Sequence, residues 1–281
     1  MINYLIWVLA AIVYTPVFIN LYQVRWDKLD YTHAYFILPI FFGLLWWKRN
    51  DIKKIVQTPG QKTGSPVSLL LLTIGIIIFI FGHRQNYIFL QTLSLIPFLF
   101  GLTGYMHGTK LSKELAFPIL YLLLLVPPPF GILDSITLPM RYGSAAATEY
   151  LLNLTGYPIT RDGLDMVIGY NTIYMGAPCS GFRSLITMIS LFLAYVYVIQ
   201  GAIPKKVLLI LFITPLALFG NLVRVITLCL ITFYHGEEVG QGFFHNFSGI
   251  VIFIITLSGL MSIETLLNKI WPDKSPQEQT T

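Results

Sequence analysis

The sequence predicts an all-α polytopic membrane protein, with about eight transmembrane helices and a small outer-face subdomain of one helix plus a β-hairpin. Three observations predict it. Of 281 residues, 55% are hydrophobic and only 11% charged, against roughly 25% charged in an ordinary soluble domain. Apolar runs of about 16 to 28 residues recur along the whole chain, close to the ~20 that cross a hydrocarbon core. The ~10-residue alternating segments of a barrel are largely absent, which leaves helices to satisfy the backbone in lipid.

The runs lie at about 3–22, 32–47, 67–82, 87–106, 115–130, 182–203, 207–232 and 246–267. The first has no basic residue ahead of it and no small-residue cleavage site, so it is read as a retained helix. The second is short and carries Pro39, which tilts it, kinks it or leaves it partly interfacial. Lysines orient the set. Lys48, Arg49, Lys53, Lys54 and Lys62 follow span two, and Lys110 and Lys113 follow span four. Lys205 and Lys206 follow span six, Lys269 and Lys274 follow span eight, and Lys28 alone among the lysines falls elsewhere. Those connections alternate, so the positive-inside rule puts them and both termini in the cytoplasm. The expected organisation is one integral membrane domain over 1–281, with an extracytoplasmic insertion at 131–181 and a short cytoplasmic tail at 268–281. The expected location is the cytoplasmic (inner) membrane of a prokaryote.

The insertion begins at Val126-Pro127-Pro128-Pro129, which must end a helix. Asp134 is expected to cap a helix running to Gly156, with Ile136, Met140, Gly143, Ala147, Tyr150 and Leu154 on one face. The small residues from Gly143 to Ala147 suit close helix packing. Arg161-Asp162-Gly163 and Gly169-Tyr170-Asn171 bracket alternating residues and predict a short β-hairpin. This subdomain is a plausible dock for an extended peptide.

The net charge of +5 reports orientation rather than partners, so no nucleic-acid role is expected. Two cysteines, Cys179 and Cys229, exclude a disulfide framework and leave at most one bridge. No metal and no cofactor is expected. There is no Walker loop and no dinucleotide fingerprint, and His33, His235, His245 and Glu237 lack the spacing of an H-E-x-x-H zinc site.

Cys179 stands in Ala177-Pro178-Cys179-Ser180-Gly181, where a polar segment turns into span six. Ser180 reads as an N-cap and Gly181 as a point of close backbone approach. A thiol at a helix N-terminus meets the positive end of the macrodipole, which favours the nucleophilic thiolate. The alternative is a small buried apolar residue, and for Cys229, inside span seven, that alternative is preferred. Arg224 lies ~27 Å along span seven, near the outer edge of a core ~30 Å thick. An intramembrane arginine is a functional candidate unless it merely snorkels, and Asn221, one turn earlier, is placed to hold its guanidinium. His245 opens span eight on the same side, where an imidazole either exchanges the thiol's proton or bonds a loop carbonyl. Arg183, one turn beyond Cys179, either holds the thiolate or faces lipid headgroups, and His33 assists orientation or binds substrate. Cys179, Arg224 and His245 come from three helices, yet the topology sets them at one depth.

These residues resemble the exosortase/archaeosortase family. The resemblance rests on Ala177-Pro178-Cys179-Ser180-Gly181-Phe182-Arg183, on Asn221-Leu222-Val223-Arg224, and on His245 with Gly249 four residues on. Asp30-Tyr31-Thr32-His33-Ala34-Tyr35, ahead of Trp46-Trp47-Lys48-Arg49, is similar to the family's N-terminal pattern, which more often has Ser-His-Gly at 32–34. The resemblance spans most of 27–265. It implies a membrane cysteine peptidase, or transpeptidase, that cleaves C-terminal sorting signals of exported proteins through a thioacyl-enzyme. Such signals carry a short motif such as Pro-Glu-Pro, a transmembrane helix and a basic tail. It further implies Cys179 as nucleophile, His245 as general acid/base and Arg224 as stabiliser of the tetrahedral intermediate. A different class stays open, a carrier or flippase for anionic polyprenyl-linked lipids, in which Arg224, Arg183 and Arg161 bind phosphate. A scaffold without chemistry is a third.

Overall fold

The structure, a computed structural model, describes residues 2–26, 31, 33–58, 63–129, 131–199, 201–241 and 243–271. Side chains at 2–3, 178, 237, 241, 243–253 and 255 lie outside that description, as do Lys28, Asp30, Thr32, Lys62 and Lys274 altogether. The chain is 81% helical with a small three-stranded sheet. It divides into two compact units, Met1–Phe130 and Gly131–Thr281.

The first unit holds α1 (Ile2–Leu21), a π-helical turn (Tyr22–Trp26), α2 (Ala34–Trp47), α3 (Arg49–Gln57) and α4 (Pro66–Arg84). After these come α5 (Ile88–Leu93), α6 (Leu95–His107), α7 (Thr109–Glu114) and α8 (Ala116–Tyr121), the last running on as a 3-10 turn, Leu122–Leu125. Helices α4 and α6 meet backbone to backbone. A Cβ on Gly101 would lie 2.2 Å from the Leu72 nitrogen, and one on Gly75 would lie 2.6 Å from that of Phe98. Small residues allow this approach where lipid offers no hydrophobic drive between helices. Lys48, at the end of α2, forms an ion pair with Glu114 of α7.

The triproline explains a pair of long-range bonds in this unit. Carbonyls at 124 and 125 would ordinarily accept N–H groups three or four residues on, where Pro127, Pro128 and Pro129 have none. His33 Nε2 instead bonds the Leu124 oxygen at 3.1 Å, and the Tyr31 hydroxyl donates to the Leu125 oxygen at 3.0 Å. His33 is buried, and these two side chains complete the end of the helical segment.

The second unit begins with α9 (Ile132–Leu154), followed by β1 (Ile159–Asp162), β2 (Asp165–Ile168) and β3 (Asn171–Tyr174). A 3-10 turn (Ala177–Ser180) leads into α10 (Phe182–Val198), α11 (Ile203–His235), α12 (Glu237–Gln241) and α13 (Phe243–Ile270). The strands pair antiparallel in the order β1-β2-β3, with Asp162 opposite Asp165 and Ile168 opposite Asn171. Ala145 and Leu152 of α9, Met166, Ile168 and Ile173 of the sheet, and Val225, Leu228 and Cys229 of α11 form one buried cluster with Cys179. Further along, Met188 and Phe192 of α10 pack with Ile213 of α11 and Leu260 of α13. Val196, Leu209 and Leu267 repeat that arrangement. Between these helices Lys205 is fully buried, 3.9 Å from the Glu264 carboxylate, which also accepts the Tyr195 hydroxyl at 2.5 Å.

Several sequence expectations change. Eight crossings are not shown: among the described residues, four helical segments are long and apolar enough, Tyr4–Trp26, Pro66–Arg84, Ile88–His107 and Ile203–His235. Ala34–Trp47, Ala116–Leu125 and Phe182–Val198 are shorter. Fourteen residues of α2 rise only about 21 Å, less than the ~30 Å core. The expected hairpin is a three-stranded sheet, because Gly169-Tyr170 is itself a two-residue turn, with Gly169 at φ +60 as Gly163 is at φ +62. Helix α9 starts from Gly131, not from an Asp134 cap, and Asp134 falls in its first turn. Its apolar face also turns the other way. Ile136, Gly143, Tyr150 and Leu154 are exposed, whereas Thr137, Ala145, Thr148 and Leu152 are buried. The packed face is built mostly from small and polar residues that fit closely against the sheet and the cysteine turn, so hydrophobicity misassigns it.

Candidate functional site

The local chain path around Cys179 is set by two backbone features. Gly176 turns the chain out of β3, and its carbonyl accepts the Cys179 N–H at 3.0 Å to close the 3-10 turn. Gly181 then adopts φ +74, a left-handed conformation that separates this turn from α10. A Cβ there would come 2.7 Å from the Asn221 Cγ, so glycine is needed twice over.

Asn221 ties the turn to two helices. Its Nδ2 donates to the Cys179 carbonyl at 3.0 Å and to the Ser144 Oγ of α9 at 3.1 Å. Its Oδ1 is buried without a hydrogen-bond partner among the described residues. The expected bond from Asn221 to the Arg224 guanidinium is therefore replaced by one that anchors the cysteine. Ser180 is not the N-cap of α10 either, since Gly181 holds that position. The Ser180 hydroxyl nonetheless accepts the Phe182 N–H at 3.1 Å and serves the same free donor from one residue further back.

Cys179 is 3% exposed, and both cysteines are free thiols. Burial pushes the Cys179 thiol up, and this outweighs the positive charge of Arg224, the backbone at Gly176 and the positive charge of Arg141. The expected lowering at a helix N-terminus does not occur, because Cys179 stops short of the helix in a desolvated turn. Burial thus favours the protonated thiol over the thiolate.

Arg224 follows Asn221 by three residues on the same face of α11 and is 8% exposed. Its charge is the largest influence favouring the Cys179 thiolate. Arg183 is exposed in the first turn of α10, and its charge is felt at Arg224. His245 lies in α13, but its side chain is outside the described residues. His33 belongs to the first unit, where it meets the Leu124 carbonyl. Cys229 is fully buried among apolar side chains. Among the described residues no three His, Cys, Asp or Glu side chains gather as a metal site would require.

Sequence reasoning missed Arg141. Its signal was a cation within an otherwise apolar stretch of α9, one turn before Ser144. Assigning Ile136, Met140 and Gly143 to the packed face hid it.

No curated protein and no solved structure matches the chain. A family model described as transmembrane exosortase matches residues 26–262 and so takes in Cys179, Asn221, Arg224 and His245. With that match over most of its length, the chain belongs to the transmembrane exosortase family.

Proposed function

We infer from this family membership a membrane-embedded sorting transpeptidase in general. We propose that this chain is a cysteine peptidase/transpeptidase that cleaves C-terminal sorting signals of exported proteins at the outer side of the cytoplasmic membrane. Its substrates are proteins ending in a short motif, a transmembrane helix and a basic tail. The observation that carries the reading is the Cys179–Asn221–Arg224 arrangement, a buried thiol held by its own carbonyl beside a buried guanidinium.

In this reading Cys179 is the nucleophile. Its buried thiol holds a proton, so attack needs a base, and His245 on α13 takes that role. The Cys179 sulfur bonds to the peptide carbonyl carbon as the proton passes to His245. Arg224 stabilises the oxyanion, an effect of about 3–4 kcal/mol for one good donor in comparable sites. Collapse breaks the C–N bond, His245 protonates the leaving amine, and a thioacyl-enzyme remains for an incoming amine or water. Arg183 adds positive charge near Arg224 for the oxyanion, and Ser180 with Asn221 fixes the turn that carries the sulfur. The orientation that serves this chemistry puts both termini in the cytoplasm.

The test is processing in cells by Cys179→Ala. Cleavage is expected to stop while the protein stays in the membrane, and continued cleavage would remove the nucleophile assignment. The second reading is the carrier, in which Arg224, Arg183 and Arg161 bind an anionic headgroup, Arg161 being the one already paired with Glu149. Cys179→Ser separates the two, because a carrier tolerates it and a thiol peptidase does not.

A further inference from the structure

Helix α9 carries three charged side chains, Asp134, Arg141 and Glu149. Glu149 is engaged at the sheet, where its carboxylate accepts the Arg161 Nε at 3.2 Å. Asp134 is 83% exposed. Arg141 differs from both, with a side chain only 11% exposed. Its Nη2 donates to the Thr137 Oγ1 at 3.1 Å and lies 3.5 Å from the Asp134 carboxylate. Its Nε is buried with no hydrogen-bond partner among the described residues.

This arginine stands where the turn is anchored. Ser144, one helical turn further along, accepts the same Asn221 amide that donates to the Cys179 carbonyl. Residues three apart share a helix face, so Arg141 rises from the face of α9 that meets the cysteine turn. Its positive charge acts on the Cys179 sulfur. Resting on the peptidase reading above, we propose that Arg141 is a second cation of the Cys179 site, a positioning residue that holds the deprotonated sulfur.

The reaction has use for two cations. When sulfur attacks, negative charge leaves it for the carbonyl oxygen, and it returns to sulfur when the acyl group departs. Arg224 serves the oxygen. Arg141 stays with the sulfur and receives the thiolate at the end of each turnover. The exposed Asp134 partly offsets that charge and sets its strength. Among the described residues, the other charged or titratable groups that interact within this cluster are Arg224 and Cys229 of α11, with Arg183 of α10 acting on Arg224. Sequence also places His245 on α13.

The experiment is a pH titration of the purified full chain in lipid discs. Thiolate formation is read by ultraviolet absorbance in a Cys229→Ala background, as the difference from the same chain carrying Cys179→Ala. Arg141→Gln should raise the midpoint by about one pH unit, roughly tenfold less thiolate below it. Arg141→Lys should restore most of that shift. Asp134→Asn, at an exposed position that does not endanger folding, should lower the midpoint by a few tenths of a unit. Midpoints unmoved by Asp134→Asn and by whichever Arg141 variants fold would overturn the inference and leave the peptidase reading intact. Processing that survives Cys179→Ala would end the peptidase reading and Arg141's part in it, whatever the titration showed.

Discussion

Gly181→Ala tests how the turn positions the sulfur, and three glycines separate the contributions. Gly181 has a positive φ and a crowded Cβ site; among the described residues Gly131 has φ +82 with nothing within 4 Å, and Gly143 has open space and no positive φ. Forcing an alanine into the left-handed region costs about 1–2 kcal/mol. At Gly181 the new methyl also falls 2.7 Å from the Asn221 Cγ, so the amide must withdraw. Losing its bond to the Cys179 carbonyl adds about 1 kcal/mol. The sum is about 2–3 kcal/mol for Gly181→Ala, about 1–2 for Gly131→Ala, and close to zero or slightly stabilising for Gly143→Ala. Chemical denaturation in mild detergent, followed by circular dichroism, measures these differences. Catalysis should separate the variants further, since a displacement of ~1 Å at a reacting group costs on the order of 10²-fold. Signal cleavage should therefore collapse in Gly181→Ala and stay near normal in Gly131→Ala. Gly181→Ala cleaving at the parental rate would refute the claim that Asn221 and this turn set the nucleophile's position.

Glu264→Ala removes the carboxylate that faces the fully buried Lys205 and accepts the Tyr195 hydroxyl, and should destabilise the second unit by about 3 kcal/mol in the same assay. Gly101→Ala drives a methyl into the Leu72 backbone and should cost at least 1–3 kcal/mol, whereas Gly43→Ala, with open space, should be neutral. The raised Cys179 thiol predicts the sign of a pH effect. The folded state holds this proton more tightly than the unfolded chain does, so the contribution is complete below the ordinary cysteine value. It should fade as pH rises above that value, and Cys179→Ala should flatten this part of the stability–pH curve.

Legibility in the sequence followed the physics of each signal. Long apolar runs marked the positions of helices well, because lipid demands them, and Pro127 to Pro129 marked a helix end for want of N–H donors. Lengths were harder to read. The α2 and α10 runs looked like crossings by composition, and only the helix ends show them as 14 and 17 residues. At the site, Cys179 and Arg224 were legible because a thiol at a turn and a charge in lipid are both costly without use. Asn221 was found for the wrong partner: its spacing from Arg224 was visible, while its bonds to Ser144 and the Cys179 carbonyl join distant parts of the chain. Arg141 was lost because the packed face of α9 contains Thr137, Ser144, Ala145 and Thr148, residues with little apolar weight. The third strand was missed because a second glycine-first turn looks the same in sequence as the end of a hairpin.

Helix α11 runs 33 residues, about 50 Å, well past the thickness of any hydrocarbon slab it crosses. Along this single rod sit Asn221, which fastens the cysteine; Arg224; and, beyond them, the Thr232 carbonyl that accepts the Asn171 side chain of the sheet. Tyr234 meets the Tyr157 hydroxyl just ahead of β1 at 3.0 Å. A change in bilayer thickness is met by tilting or by bending at Pro215, and Asn221, Arg224 and Thr232 all lie together beyond that proline. The spacing between sulfur, guanidinium and sheet is thus insulated from lipid composition, and one fold can keep its working distances in membranes of different depth.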